Sequence, residues 1–196
     1  MIPFARDLDD GTLVASLSQP ELTLVLTLAA QVADMLDDLA RAPSIADPDA
    51  AALYESVGIG GSAAIHSDPA IARLLPDAYR GDADASRDFR GLTERSLAAR
   101  KVANARAVVA SLTLAEAAGG ELRLDEAQVQ SWLRTLADIR LTIAARLGIE
   151  TDDEWPAEQE SDEDSEIHDP DDDSLMMRDV YDWLGWVTET LLSELE

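Results

Sequence analysis

Cysteine is absent from the 196 residues, which removes disulfides, thiolate metal ligands, cysteine nucleophiles and any thiol-based redox switch on this chain. Histidine occurs only as His66 and His168, leaving little for a soft-metal site or for imidazole base chemistry. Aromatic residues make up 5 % of the chain although hydrophobic residues reach 46 %. With Ala and Leu supplying the difference, packed helices are favoured over sheets. Long apolar runs are missing as well. None approaches the ~20 residues that cross a bilayer, and Asp7, Asp9 and Asp10 stand where a secretory signal needs bases. The expected location is the cytoplasm.

What is abundant is acid. The formal net charge is −25, and it is unevenly spread: residues 150–196 hold nineteen acids against one base, Arg178, while residues 1–149 hold twenty-one against fourteen. Such a field repels nucleic acid and anionic lipid and favours basic protein partners, or serves solubility alone.

The pattern predicts a mainly α fold: a helical bundle with a small N-terminal β-hairpin. Short apolar runs at 2–6 and 12–17 flank Asp9-Asp10-Gly11, a hairpin signal that predicts a two-stranded ribbon. Ser18-Gln-Pro-Glu21 reads as a capping box opening a helix to about Arg41. Residues 42–67 read as a long connection with one weak helix near 49–56, and a short helix follows Asp68-Pro69. A long helix is predicted from about Asp84 to Ala118, stopped by Gly119-Gly120, with an inward stripe of Phe89, Leu92, Ser96, Ala99, Ala103, Val109 and Leu112. After a brief extended piece at Leu122–Leu124, Asp125 caps a helix whose Val129, Trp132, Leu133, Leu136, Ile139, Ile143 and Leu147 form the expected centre of the core, ended by Gly148. The organisation expected is therefore a hairpin plus helical core over 1–150, an acidic disordered linker over 151–173, and an amphipathic helix over 174–196 packing on the same core. Tyr181, Trp183 and Trp186 cannot share one narrow stripe of that last helix, so it is either gripped on two sides or partly turned to a partner.

Motifs with catalytic or cofactor meaning are weak. Gly58-Ile-Gly60-Gly-Ser-Ala63 matches a relaxed dinucleotide fingerprint but follows no buried strand and sits in no βαβ unit. Asp169-Pro-Asp171-Asp-Asp173 resembles the start of a calcium loop, yet Ser174 replaces the turn glycine and Val180 the bidentate glutamate. Neither histidine has a nucleophile elbow nearby, and the paired carboxylates form surface runs. No catalytic residue, cofactor or metal site is assigned, and a non-enzymatic protein is the expectation.

Basic residues concentrate between Arg73 and Arg106, where eight of the fifteen lie. On the long helix Arg87, Arg90, Glu94 and Lys101 fall on one broad face, which is either a solvated surface with internal ion pairs or a docking face for acid. The candidate partner-binding residues are Arg87, Arg90, Arg95, Arg100 and Lys101, as donors to an acidic surface, with Trp186 as an aromatic anchor. The acid in question is another protein or the chain's own Asp152–Asp173 run docking in an autoinhibitory way. Direct DNA binding is disfavoured, since the expected footprint is a basic domain.

Asp68-Pro-Ala-Ile-Ala-Arg-Leu-Leu-Pro-Asp-Ala-Tyr-Arg80, Asp88-Phe-Arg-Gly-Leu-Thr-Glu94 and Lys101-Val-Ala-Asn-Ala105 resemble the AosR family of actinobacterial proteins, long catalogued as a domain of unknown function. Trp132 to Leu141, Arg146-Leu-Gly-Ile149 and Tyr181-Asp-Trp-Leu-Gly-Trp186 fit it too. The resemblance implies a cytoplasmic, transcription-associated regulator of oxidative-stress responses working through protein contacts with the transcription machinery. It also implies redox sensing by paired cysteines, which this chain lacks. The resulting expectation is a non-enzymatic regulator or adaptor with a protein partner such as a transcription factor. The alternatives are a helical ligand pocket or enzyme, a homodimer through the tryptophan-rich helix, and a homodimeric DNA-binding regulator.

Overall fold

The computed structural model describes residues 1–41, 66–79, 82–149 and 172–195. In chain order these form strands β1 (Ile2–Arg6) and β2 (Leu13–Ser16), helices α1 (Gln19–Ala40), α2 (Pro69–Leu74) and α3 (Ala83–Ala117), strand β3 (Glu121–Leu124), and helices α4 (Glu126–Leu147) and α5 (Asp172–Ser193). The weak helix near 49–56, the glycine motif at 58–63, His168 and most of the acidic run lie outside the described residues.

The hairpin forms where the Asp-Gly signal stands. Gly11 takes φ 74°, and the Asp10 carboxylate accepts from the Thr12 amide at 2.9 Å and its hydroxyl at 2.6 Å. The expected two-stranded ribbon is a three-stranded antiparallel sheet, because Leu122–Leu124 is a strand that pairs with β2 in the register Leu13↔Leu124 and Ala15↔Leu122. That register puts Leu13, Ala15, Leu122 and Leu124 on one buried face. Closure depends on Gly120, whose φ is 101° and whose added Cβ would stand 2.4 Å from the Leu17 carbonyl oxygen. The Leu17 amide donates to the Gly120 carbonyl at 2.9 Å, so the α3–β3 corner is bonded to the entrance of α1.

Helix boundaries follow local chemistry. Glu21 accepts from the Ser18 amide at 2.7 Å at the start of α1, Asp125 accepts from the Gln128 amide at 2.8 Å at the start of α4, and Gly148 ends α4 at φ 70°. Helix α1 packs along α3, α3 along α4, and α4 takes α2 and α5 on its other sides. At the centre lies Trp132, 1 % exposed, its ring edge-on to Phe4 at 6.2 Å and its indole N–H donating to Ser111 Oγ at 2.9 Å. Burial of side chains this size contributes roughly 1.5–3 kcal/mol each.

The inward stripe of α3 differs from the sequence expectation. Glu94, Ala98, Val102, Ala105, Val108, Leu112 and Ala115 are buried, whereas Phe89, Ser96, Ala99 and Ala103 are exposed. The helix is so rich in alanine that two phases of the 3.6-residue repeat are almost equally apolar, and packing against α1 and α4 selects between them. Helix α5 starts two residues earlier than expected. It buries Leu184, Val187 and Leu191, rests Met177, Val180, Tyr181 and Trp183 against the core, and leaves Leu195 43 % exposed.

Candidate partner-binding surfaces

The eight bases between Arg73 and Arg106 do not form one surface. Arg73 donates to the Ile149 carbonyl at 2.5 Å and so ties α2 to the end of α4. Arg106 bonds Asp37 of α1 at 2.8 Å. Lys101 turns inward to an ion pair with Asp138 of α4, whose residue is only 4 % exposed. Burial raises the Asp138 carboxyl above the usual range, against the hydrogen bond and positive charge of Lys101, which pull the other way. Lys101 is thus engaged within the fold.

Arg95 and Arg100 remain: both are exposed on α3, and neither forms an ion pair among the described residues. Arg87 and Arg90 lie in the N-terminal part of the same helix. Arg80 falls outside the described residues. Between Arg95 and Arg100 the outer face carries Ser96 and Ala99, and Ala103 follows, all exposed, so the guanidinium groups border a low surface that a partner could approach closely.

Glu94, placed by the sequence on a face with Arg87, Arg90 and Lys101, is buried at 9 % exposure. His66 Nε2 stands 3.3 Å from its Oε2. That contact was not legible from either residue's neighbours in the chain. The signal available was positional: Glu94 lies four residues before Ala98, on the buried side of α3.

Trp186 is 41 % exposed and stands on α5, away from α3. The opposite side of α5 is held by Arg140 of α4, whose guanidinium carbon is 4.5 Å from the Tyr181 ring centroid and which lies 3.7 Å from where a Gly185 Cβ would be. At the C-terminal end the Arg6 side chain donates to the Glu194 carbonyl at 2.6 Å. An open groove of about 490 Å³ lies between α2 and the end of α4, lined by Pro69, Ala72, Arg73, Pro76, Ala145 and Gly148. Its one charged lining residue, Arg73, already donates to Ile149. Among the described residues no group of three or more His, Asp or Glu could hold a metal ion, and no helix is long and apolar enough to cross a membrane.

The arrangement is that of a helical bundle presenting charged and aromatic surfaces, and the chain belongs to the DUF2017 family, a domain of unknown function matched over residues 1–195. It is similar to the proteins named oxidative stress regulator AosR of Mycobacterium tuberculosis and Mycobacterium bovis, with 33 % identity over 147 residues, 69 % of this chain and 65 % of each relative. The chain therefore spans just under two thirds of the length of these curated relatives. No solved structure matches it.

Proposed function

We propose that this protein is a non-enzymatic regulator of the oxidative-stress response that works by binding a protein of the transcription machinery. The observation that carries this reading is the similarity to proteins named oxidative stress regulator AosR. With no cysteine in its 196 residues, the chain does not switch on thiols of its own, so it acts as an adaptor whose occupancy is set by its partner.

The contact surface in this reading is the exposed side of α3 at Arg95 and Arg100, as donors to an acidic patch, with Arg87 and Arg90 earlier in the same helix as further candidates from the sequence. Arginine suits that task because its planar fork engages carboxylates bidentately. Supporting it is the exposure of Arg95 and Arg100 with no ion pair among the described residues, in a chain whose other arginines are largely tied into the fold.

The test is genetic. In an actinobacterium that carries the gene, deletion should blunt the transcript changes that follow peroxide challenge, and the wild-type gene should restore them. An Arg95→Glu/Arg100→Glu form, shown by its melting to be folded, should fail to restore them. Full restoration by the charge-reversed form would remove α3 from the account, and an unchanged response in the deletion strain would remove the regulator.

A further inference from the structure

The exposed side of α5 carries a second pattern. Leu175, Asp179, Asp182, Trp186, Glu189 and Ser193 are all exposed, and they follow one another at alternating spacings of four and three. That spacing lines one straight stripe on a helix. From Leu175 to Ser193 the stripe runs roughly 27 Å at 1.5 Å per residue. Leu175 is 46 % exposed and Trp186 41 %, three carboxylates lie between and beside them, and none of the six residues is basic.

Two properties separate this stripe from an ordinary solvated face. Its central residue is a tryptophan, the side chain that most often anchors an interface when left in water. The helix behind it is also fixed, by burial of Leu184, Val187 and Leu191, by Arg140 on Tyr181 and by Arg6 on Glu194. The stripe is thus presented on a rigid element and loses little conformational freedom on binding.

We infer that this stripe is a docking seam for a basic amphipathic helix of another protein, whose lysines or arginines meet Asp179, Asp182 and Glu189 while an apolar position receives Trp186. Charge argues for such a partner over a second copy of this chain. Two copies docked through this stripe would set Asp179, Asp182 and Glu189 of one against the same acids of the other, at a repulsive cost that a basic helix turns into attraction. The seam is separate from the arginines of α3 and calls for a partner of opposite charge. It rests on the regulator reading only in expecting a protein partner.

The probe is a fluorescein-labelled helical peptide of about three heptads, with lysine at the positions facing the acids and leucine at the position facing Trp186, compared with a version carrying glutamate for lysine. Binding to the full chain is followed by anisotropy at low salt. The lysine peptide should bind and the glutamate peptide should not. Trp186→Ala and Asp179→Lys/Asp182→Lys/Glu189→Lys should each weaken binding by about tenfold or more, the loss expected for a central anchor. Asp162→Lys/Glu163→Lys/Asp164→Lys makes the same change in net charge elsewhere and should bind almost as the wild type does, as should Arg95→Glu/Arg100→Glu.

Equal weakening by the two triple reversals would show attraction to bulk acid and overturn the seam, as would wild-type affinity in Trp186→Ala or no binding of the lysine peptide. Sedimentation of the free protein gives the remaining outcome: self-association abolished by Trp186→Ala would make a second copy the occupant and overturn the basic partner. Trp186 is 41 % exposed, so its alanine variant gives up some packing; a melt showing that the variant stays folded at the assay temperature keeps loss of binding distinct from loss of fold.

Discussion

Replacing Lys101 with methionine should reveal what the buried ion pair between α3 and α4 contributes. Asp138 is 4 % exposed, its side chain 5 % and that of Lys101 17 %, so both charges have given up most of their hydration. Burial already raises the Asp138 carboxyl, and the hydrogen bond and charge of Lys101 are what oppose it. Removing the lysine leaves the burial and deletes the opposition. At neutral pH the variant should lose about 3–5 kcal/mol, the usual cost of orphaning one member of a buried pair, out of a typical total of about 5–15 kcal/mol.

The loss should depend on pH in a definite direction. Below the unfolded carboxyl value Asp138 is protonated in both states and carries no charge penalty. Between that value and the raised folded value, the native state holds a proton that the unfolded state has released, so stability falls as pH rises, at up to about 1.4 kcal/mol per pH unit. The deficit of Lys101→Met relative to the wild type should therefore shrink as pH is lowered from about 7 toward about 4.5. Lys101→Met/Asp138→Leu, which removes both charges, should return to within about 1 kcal/mol of the wild type or exceed it. Urea unfolding followed by circular dichroism across this range measures all three forms. A deficit under about 1 kcal/mol at every pH, or one that grows on acidification, would refute the reasoning.

Other substitutions probe the joints of the fold. Gly120→Ala should lower the urea midpoint by the equivalent of about 2–4 kcal/mol, because φ 101° and the Leu17 carbonyl at 2.4 Å leave no room for a Cβ. Trp132→Phe should cost about 1–3 kcal/mol in the same measurement, since it opens space in the core and removes the indole bond to Ser111. The hydrogen bond from Arg146 is the main cause holding the Asp68 carboxyl below its usual range, with burial opposing and the Ala70 amide assisting. Its contribution should be present above the unfolded carboxyl value and vanish as pH falls through the lowered one. Acid titrations of thermal unfolding should accordingly show a shallower decline for Asp68→Asn than for the wild type.

Features with local causes were the legible ones. Ser18, Asp125 and Gly148 mark helix ends by side-chain and backbone chemistry within one turn, and Asp-Gly marks the hairpin. Strand β3 was harder to read because Glu121-Leu-Arg-Leu124 becomes a strand only by pairing with residues more than a hundred positions earlier. The stripe of α3 was misphased because alanine fits equally well facing in or out, leaving the choice to neighbouring helices. Of the candidate contact residues, Arg95, Arg100 and Trp186 are exposed, while Lys101 faces Asp138, thirty-seven residues away. A hint existed in both helices: Lys101 lies three and four residues from buried Ala98 and Ala105, and Asp138 three after buried Thr135. Charges at such positions point into a core and require a partner there.

The central claim is that α3 meets a protein of the transcription machinery. The most direct measurement places a photo-crosslinking amino acid at position 95 or 100 in cells under peroxide stress, with position 134, where the exposed Arg134 lies on α4, as the comparison. The account predicts a crosslink from 95 and 100, absent from 134, to one transcription-associated protein identified by mass spectrometry. Crosslinks that are equal at all three positions, or that join α3 only to another copy of this chain, would contradict it.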